Sequence, residues 1–271
     1  MGLTRRLSAG CLLLFILACS LSFYLEKSPT QEKNNLYFLP QAEYIKIVSG
    51  SYRALSAHLL YIKGVLELTD EIPNRTPYLL KLFRLCVELD PKLIDAYIFG
   101  GVIVPSKKAD IPEGILFLKE AMHLNPGEWR IPFWIGFNYL ELGDYKKVIE
   151  YYKLASELPA SPAYLKTNLA FFYYKSGGAQ EGLLYLEGLA DTLKDESMLE
   201  SLKKKIAWLK NIIILEAKVQ EYKDRFGEWP FELQDLVKKG LLANIPGDPF
   251  GKGFYLDKEP QTGRVKVKSK F

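Results

Sequence analysis

Apolar residues along this chain fall into three successive patterns, and each predicts a different kind of element. Leu7 to Leu25 is an uncharged run of nineteen residues that follows Arg5 and Arg6. From about residue 44 to residue 205, leucines, isoleucines, valines and aromatics recur at three- and four-residue steps broken by prolines and glycines, which predicts a series of amphipathic helices. Between Ile206 and Phe226 a last helical stripe passes through Leu209, Ile212, Ile213, Val219 and Tyr222 and stops at Gly227. A short helix from Trp229 through Lys239, closed by Gly240, and two strand candidates, Phe254 to Leu256 and Arg264 to Lys268, complete the chain. The expected fold class is mainly α, with a small C-terminal α+β module.

The helical region repeats itself. Phe83, Leu118, Tyr152 and Leu186 stand 35, 34 and 34 residues apart, and Cys86, Ala121, Ala155 and Leu189 keep the same steps. Leu79, Gly114, Val148 and Gly182 form a third series, and Gly101, Gly136 and Ala170 a fourth. Small residues return where two helices must approach and large ones where they fill the gap, and a period near 34 residues is the signature of a helix-turn-helix solenoid. The run Pro132-Phe133-Trp134-Ile135-Gly136-Phe137-Asn138-Tyr139, followed by Leu142-Gly143-Asp144-Tyr145 and by Ala155, resembles a tetratricopeptide repeat, and Pro91 and Pro126 match the closing prolines of preceding repeats. The resemblance implies a tetratricopeptide-type helical-hairpin solenoid with three repeats over about 92 to 190. A degenerate repeat precedes them, with helices Tyr44 to Leu68 and Pro77 to Leu89. Three departures make it irregular: an enlarged turn from Glu71 to Thr76, an extra residue and Pro105 between Val102 and Pro112, and Gly177-Gly178 in place of Gly-Asp.

In that family the first helix of each pair lines a concave face. Carried over residue by residue, this implies a peptide groove of Asp95, Ile98 and Val102, then Arg130, Phe133 and Phe137, then Tyr164, Thr167, Phe171 and Tyr174. Two readings stand. Either the groove is open to an extended or helical peptide, with Arg130 offered to a carboxylate, or these side chains pack within the superhelix or under a capping helix.

Leu215-Glu216-Ala217 through Tyr222-Lys223-Asp224-Arg225-Phe226-Gly227-Glu228-Trp229-Pro230, continued by Leu233, Leu236, Gly240-Leu241-Leu242 and Asp248-Pro249-Phe250-Gly251, is similar to the head of type II secretion pseudopilins. The likeness covers about 206 to 267 and lacks the hydrophobic stem that would polymerise. Such heads can bind calcium, but the nearby acids Asp248, Asp257 and Glu259 lack a ligand spacing, so no metal is expected. Arg264, Lys266, Lys268 and Lys270 alternate with Val265, Val267 and Ser269, which sends four charges to one strand face. That face reads as a lysine-protected edge, or as a contact for anionic headgroups or an acidic partner.

The basic start and the apolar run after it are what secretion machinery reads, so the body of the chain is expected to face a periplasm in a bacterial envelope. Three fates of the segment stay open. Ile16-Leu17-Ala18-Cys19 resembles a lipobox, which implies lipidation at Cys19. Nineteen residues at about 1.5 Å each span roughly 28 Å, enough for a single-pass anchor across a hydrocarbon core of about 30 Å. Cleavage and release is the third. The expected organisation is a signal peptide or membrane anchor over 1–25, a linker over 26–43, tetratricopeptide-like repeats over 44–205, and a capping helix with the pseudopilin-like module over 206–271.

Composition and charge change this picture little. Thirty-six Lys and Arg against 32 Asp and Glu leave +4, too small a surplus for a nucleic-acid field. The 17 Tyr and 15 Phe are many, and suggest helices packed by large rings or an adhesive groove. Cys86 is the one cysteine in the body of the chain and reads as a small buried residue. His58 and His123, the only histidines, each fall in a helical stretch among apolar residues. No nucleophile elbow, zinc-binding His-Glu-x-x-His, phosphate loop or Cys-x-x-Cys occurs, so neither enzymatic chemistry nor a cofactor is expected. The expected function is a non-enzymatic, membrane-tethered scaffold that binds protein segments in its groove. By resemblance its partners are components of a type IV pilus or type II secretion assembly. The alternative is a structural spacer whose C-terminal module fills its own groove.

Overall fold

The computed structural model describes residues 39–69, 75–191, 193, 195–259 and 263–269. The proposed signal or anchor segment with Cys19, most of the linker, and Lys270 lie outside the described residues. The chain is mainly helical and ends in a small two-stranded antiparallel sheet. In order come α1 (Ala42–Ser49), α2 (Arg53–Leu66), α3 (Arg75–Leu89), α4 (Ile94–Ile98), α5 (Ile111–Leu124), α6 (Arg130–Leu142), α7 (Tyr145–Glu157), α8 (Tyr164–Lys175), α9 (Ala179–Ala190), α10 (Glu196–Phe226), α11 (Gln234–Lys238), β1 (Phe254–Lys258) and β2 (Val265–Ser269). Among the described residues no helix is long and apolar enough to cross a membrane.

Helices adjacent in sequence pack on one another, and the same contact recurs between them. A Cβ added to Gly64 on α2 would lie 3.0 Å from Phe83 on α3, one on Gly101 would lie 2.5 Å from Leu118 on α5, and one on Gly136 of α6 would lie 2.3 Å from Tyr152 on α7. Ala170 of α8 and Leu186 of α9 are buried together in one cluster. Each pair sets a small residue on the first helix against a large one on the second, so the backbones approach closely. The large residues Phe83, Leu118 and Leu186 have no exposed surface, and each such burial is worth about 1.5–3 kcal/mol.

The turn between α6 and α7 shows why the chain reverses there. Gly143 takes φ 81°, which a side chain would resist, and the Gly143 and Asp144 N–H groups bond the Leu140 and Tyr139 carbonyls at 3.0 Å each. The Asp144 carboxylate then accepts the Lys147 N–H at 3.1 Å and caps α7.

Four boundaries differ from expectation. The short helix expected from Trp229 through Lys239 is confined to Gln234–Lys238. The single helix expected from Tyr44 to Leu68 is divided at Gly50, whose φ of 51° ends α1 and opens a 3-10 turn, Gly50–Tyr52, before α2 begins. α4 runs on into a π turn, Phe99–Ile103, where the Val104 N–H bonds the Phe99 carbonyl at 2.9 Å. The extra residue between Gly101 and Leu118 lies in the stretch this turn begins. The last long helix starts at Glu196, capped by the Asp195 carboxylate on the Met198 N–H at 2.8 Å, and passes unbroken through the expected boundary at 205/206. A 31-residue helix can therefore serve two cores. Its first part packs Leu202, Trp208, Leu209 and Ile212 against Ala170, Ala179 and Leu186. Its second part packs Leu215, Val219 and Tyr222 against Leu233, Leu236, Leu241 and Val267. In the sheet Leu256 stands opposite Val267, and Asp257 opposite Lys266.

Candidate functional site

The ten residues read as a groove divide into two groups with different surroundings. In the first group Asp95 is exposed, and Ile98, Val102, Arg130, Phe133 and Phe137 are half-buried. Arg130 opens α6 close behind Glu128, and that proximity decides its state. Its Nε and Nη2 donate to the two Glu128 carboxylate oxygens at 2.8 and 3.0 Å, and Nη1 reaches Asp95 at 3.4 Å. This fork holds the Glu128 carboxyl below its usual range. The guanidinium expected to await an incoming carboxylate thus already holds one from its own chain, because the Glu128 carboxylate two residues upstream matches its bidentate geometry. An incoming anion must displace Glu128 or share the charge. Beside this pair lies a cavity of about 430 Å³ bordered by Lys92, Ile94 and Asn125.

Phe133 is stacked on Tyr152, with ring centroids 5.0 Å apart and planes at 15°, and meets Trp134 edge-on at 5.2 Å. It therefore holds α6 to α7 as well as presenting a ring edge. Phe137 meets Trp134 edge-on at 5.3 Å and, with Val102, borders a second cavity of about 370 Å³ that also touches Lys107 and Glu141. Two buried asparagines brace this face, and nothing in the sequence pattern had singled them out. Asn138 donates to the Gly101 carbonyl at 2.8 Å and fastens α6 to the π turn. Asn125 donates to the Pro91 carbonyl at 3.0 Å and accepts from Lys92 Nζ at 3.0 Å.

Three of the four residues in the second group pack against later parts of the chain. Tyr164 remains exposed, but Thr167 is only 3% exposed, and its hydroxyl accepts from Lys205 Nζ of α10 at 2.9 Å. That ammonium also donates to Asn168 at 2.8 Å, and burial lowers its pKa. Phe171 packs into the cluster that α10 completes. Tyr174 meets Trp208 edge-on at 5.0 Å, and its hydroxyl donates to the Val267 carbonyl of β2 at 2.9 Å. Burial raises the Tyr174 pKa, so the group stays a neutral donor. Glu216 of α10 borders the same place; burial raises its carboxyl, and Lys266 and the Val267 N–H pull it part of the way back. On α8, then, Thr167, Phe171 and Tyr174 serve packing under α10 and the sheet.

The other candidates are quickly placed. Burial pushes the Cys86 thiol up to about 12, which leaves it a protonated packing group. His58 and His123 are exposed, and the His58 ring shares a hydrogen bond of 2.8 Å with the Ala54 carbonyl. Asp248 accepts from Ser269 at 3.0 Å, Glu259 pairs with Lys266 at 2.6 Å, and Asp257 pairs with Lys268. Among the described residues no group of three or more such side chains is arranged to hold a metal ion. Comparison with models of protein families and with curated protein sequences finds no match to this chain.

Proposed function

We propose that this chain is a non-enzymatic scaffold of the bacterial envelope, tethered through residues 1–25, that holds a segment of a partner protein against the face formed by α4, the π turn and α6. The observation that carries this reading is the contrast on one expected groove. Ile98, Val102, Phe137, Phe171 and Tyr174 are all half-buried, but Phe171 and Tyr174 pack under α10 and β2, while Val102 and Phe137 border a cavity on the face of α4, the π turn and α6. The repeated small-on-large contact at Gly64, Gly101 and Gly136 supports a tetratricopeptide-type solenoid as its framework. The partners this reading favours are components of a type IV pilus or type II secretion assembly, on the likeness of residues 206–267 to pseudopilin heads.

The rival reading, a rigid spacer whose C-terminal module fills its own groove, draws on Tyr174 and Thr167. It accounts for α8 but leaves the α4–α6 face without a role. The two are separated by Val102→Ser with Phe137→Ala in the full chain, which spares the Phe133–Tyr152 stack. Truncating a central aromatic of an interface costs about 2 kcal/mol, roughly thirtyfold in affinity. Recovery of pilus or secretion components from envelope extracts should fall accordingly, measured by quantitative mass spectrometry. Undiminished recovery by a folded double variant removes the binding reading and leaves the spacer.

A further inference from the structure

We infer that the outer face of α2 is the contact between two copies of this chain. Tyr52, Leu55, Leu59, Ile62 and Leu66 follow one another at steps of three, four, three and four residues, and Val48 precedes them on α1, on the other side of the Gly50 turn. These six side chains are between 52% and 88% exposed. The steps are those of a heptad seam, with Tyr52, Leu59 and Leu66 at one of its two core positions and Leu55 and Ile62 at the other. The opposite face of α2 is spent on the fold, where Gly64 and Ala57 are buried and Gly64 lies against Phe83. A helix apolar on both faces is ordinarily buried on both, and among the described residues only one is covered.

The kind of partner follows from area and charge. The five seam residues together with Val48 carry roughly 700 Å² of exposed surface, close to the about 800 Å² that each partner gives up in a standard stable interface. The flanks of the seam are Ser51, Ser56, His58, Val65 and Lys63, whose ammonium pairs with Glu67. Flanks so poor in free charge let a second helix approach closely and offer little to an oppositely charged partner. A helix lying on a membrane surface carries rows of Lys and Arg at these places. An identical seam fits both requirements, and because α2 is already held as a helix by α3, pairing does not bear the cost of ordering it. This inference goes beyond the protein-binding reading and does not rest on it.

The test is photo-cross-linking of the full chain in its membrane, with p-benzoylphenylalanine in place of Leu59, the centre of the seam, and in a control in place of Leu184, an exposed leucine on α9. The expected result is an adduct of twice the chain's mass from position 59, joining two differently tagged copies, and none from position 184. With the cross-linker kept at position 59, Leu55→Glu with Ile62→Glu should cut that adduct at least about tenfold by placing charges in the seam. Helix content by circular dichroism should not change, since both side chains point away from the core. A lipid adduct, an adduct to a different protein, or a cross-link within one chain to residues 7–25 would each overturn the inference, as would a dimer adduct undiminished in the charged variant.

Discussion

At the C-terminal end of the helical array, α9 turns Ala179 and Leu186 outward from the preceding pair, and α10 lays Leu202, Trp208, Leu209 and Ile212 over them. At the N-terminal end, α2 turns Leu55, Leu59 and Ile62 outward, and among the described residues these stay more than half exposed. Stacked helices always leave an apolar face at each end, and a chain can close that face with its own residues or leave it for another surface. Among the described residues, the first is seen at one end only. A related contrast runs along the expected groove, where Thr167, Phe171 and Tyr174 of α8 pack under α10 and β2, while Val102 and Phe137 border a cavity.

The comparison can be broken at the covered end first, because the largest effect is expected there. Leu209 has no exposed surface and lies at the centre of the cluster under α10, so Leu209→Ala should cost about 3 kcal/mol through lost transfer energy and the cavity left behind. Chemical denaturation followed by circular dichroism measures it. A cost below about 1 kcal/mol would mean that α10 lies loosely over α9, contrary to the buried cluster.

A smaller effect is expected from Glu216, whose carboxyl is raised by burial beside the sheet. Because its folded pKa lies above the unfolded one, its contribution to stability is full at pH below the unfolded value near 4.5 and is lost as pH rises through the folded value. Glu216→Gln keeps the shape and removes the titration. Melting temperatures of the variant and the parent should therefore diverge as pH rises from about 4.5 to 7.5, with the variant gaining. A difference that stays constant across this range would show that the covered end does not strip water from that carboxylate.

The smallest effect belongs to the uncovered end. Leu55→Ala on the separated chain at high dilution should change stability by no more than about 0.5 kcal/mol, since its side chain already stands in water. At concentrations where copies associate, the same substitution should lower the melting temperature, because a bound partner stabilises the folded state by mass action. Equal melting at both concentrations would erase the distinction between the two ends.

Much of the helical framework was legible in the sequence because its signals are local. The Gly143-Asp144 reversal, the 3.6-residue stripes and the positions of Phe83, Leu118, Tyr152 and Leu186 need only near neighbours and a period to be read, and all four large residues are buried. Gly64 escaped the series because it lies 37 residues before Gly101, outside the regular step. Asn125 and Asn138 escaped because a buried amide has no hydrophobic signature; its partners lie 34 and 37 residues away. The candidate site was only half legible: the residues of α4, α6 and α8 were named alike, but Lys205 reaches Thr167 across 38 residues and Val267 reaches Tyr174 across 93.

The sequence alone determined where the chain is helical, where it reverses, and which side chains seek cover, because those follow from backbone preference and periodicity. Which apolar faces found cover was decided only by the tertiary structure. Leu209 and Leu59 are the same residue in similar stripes, and one is sealed while the other faces water. The difference lies in the elements packed beside them, and packing between distant segments depends on the whole chain.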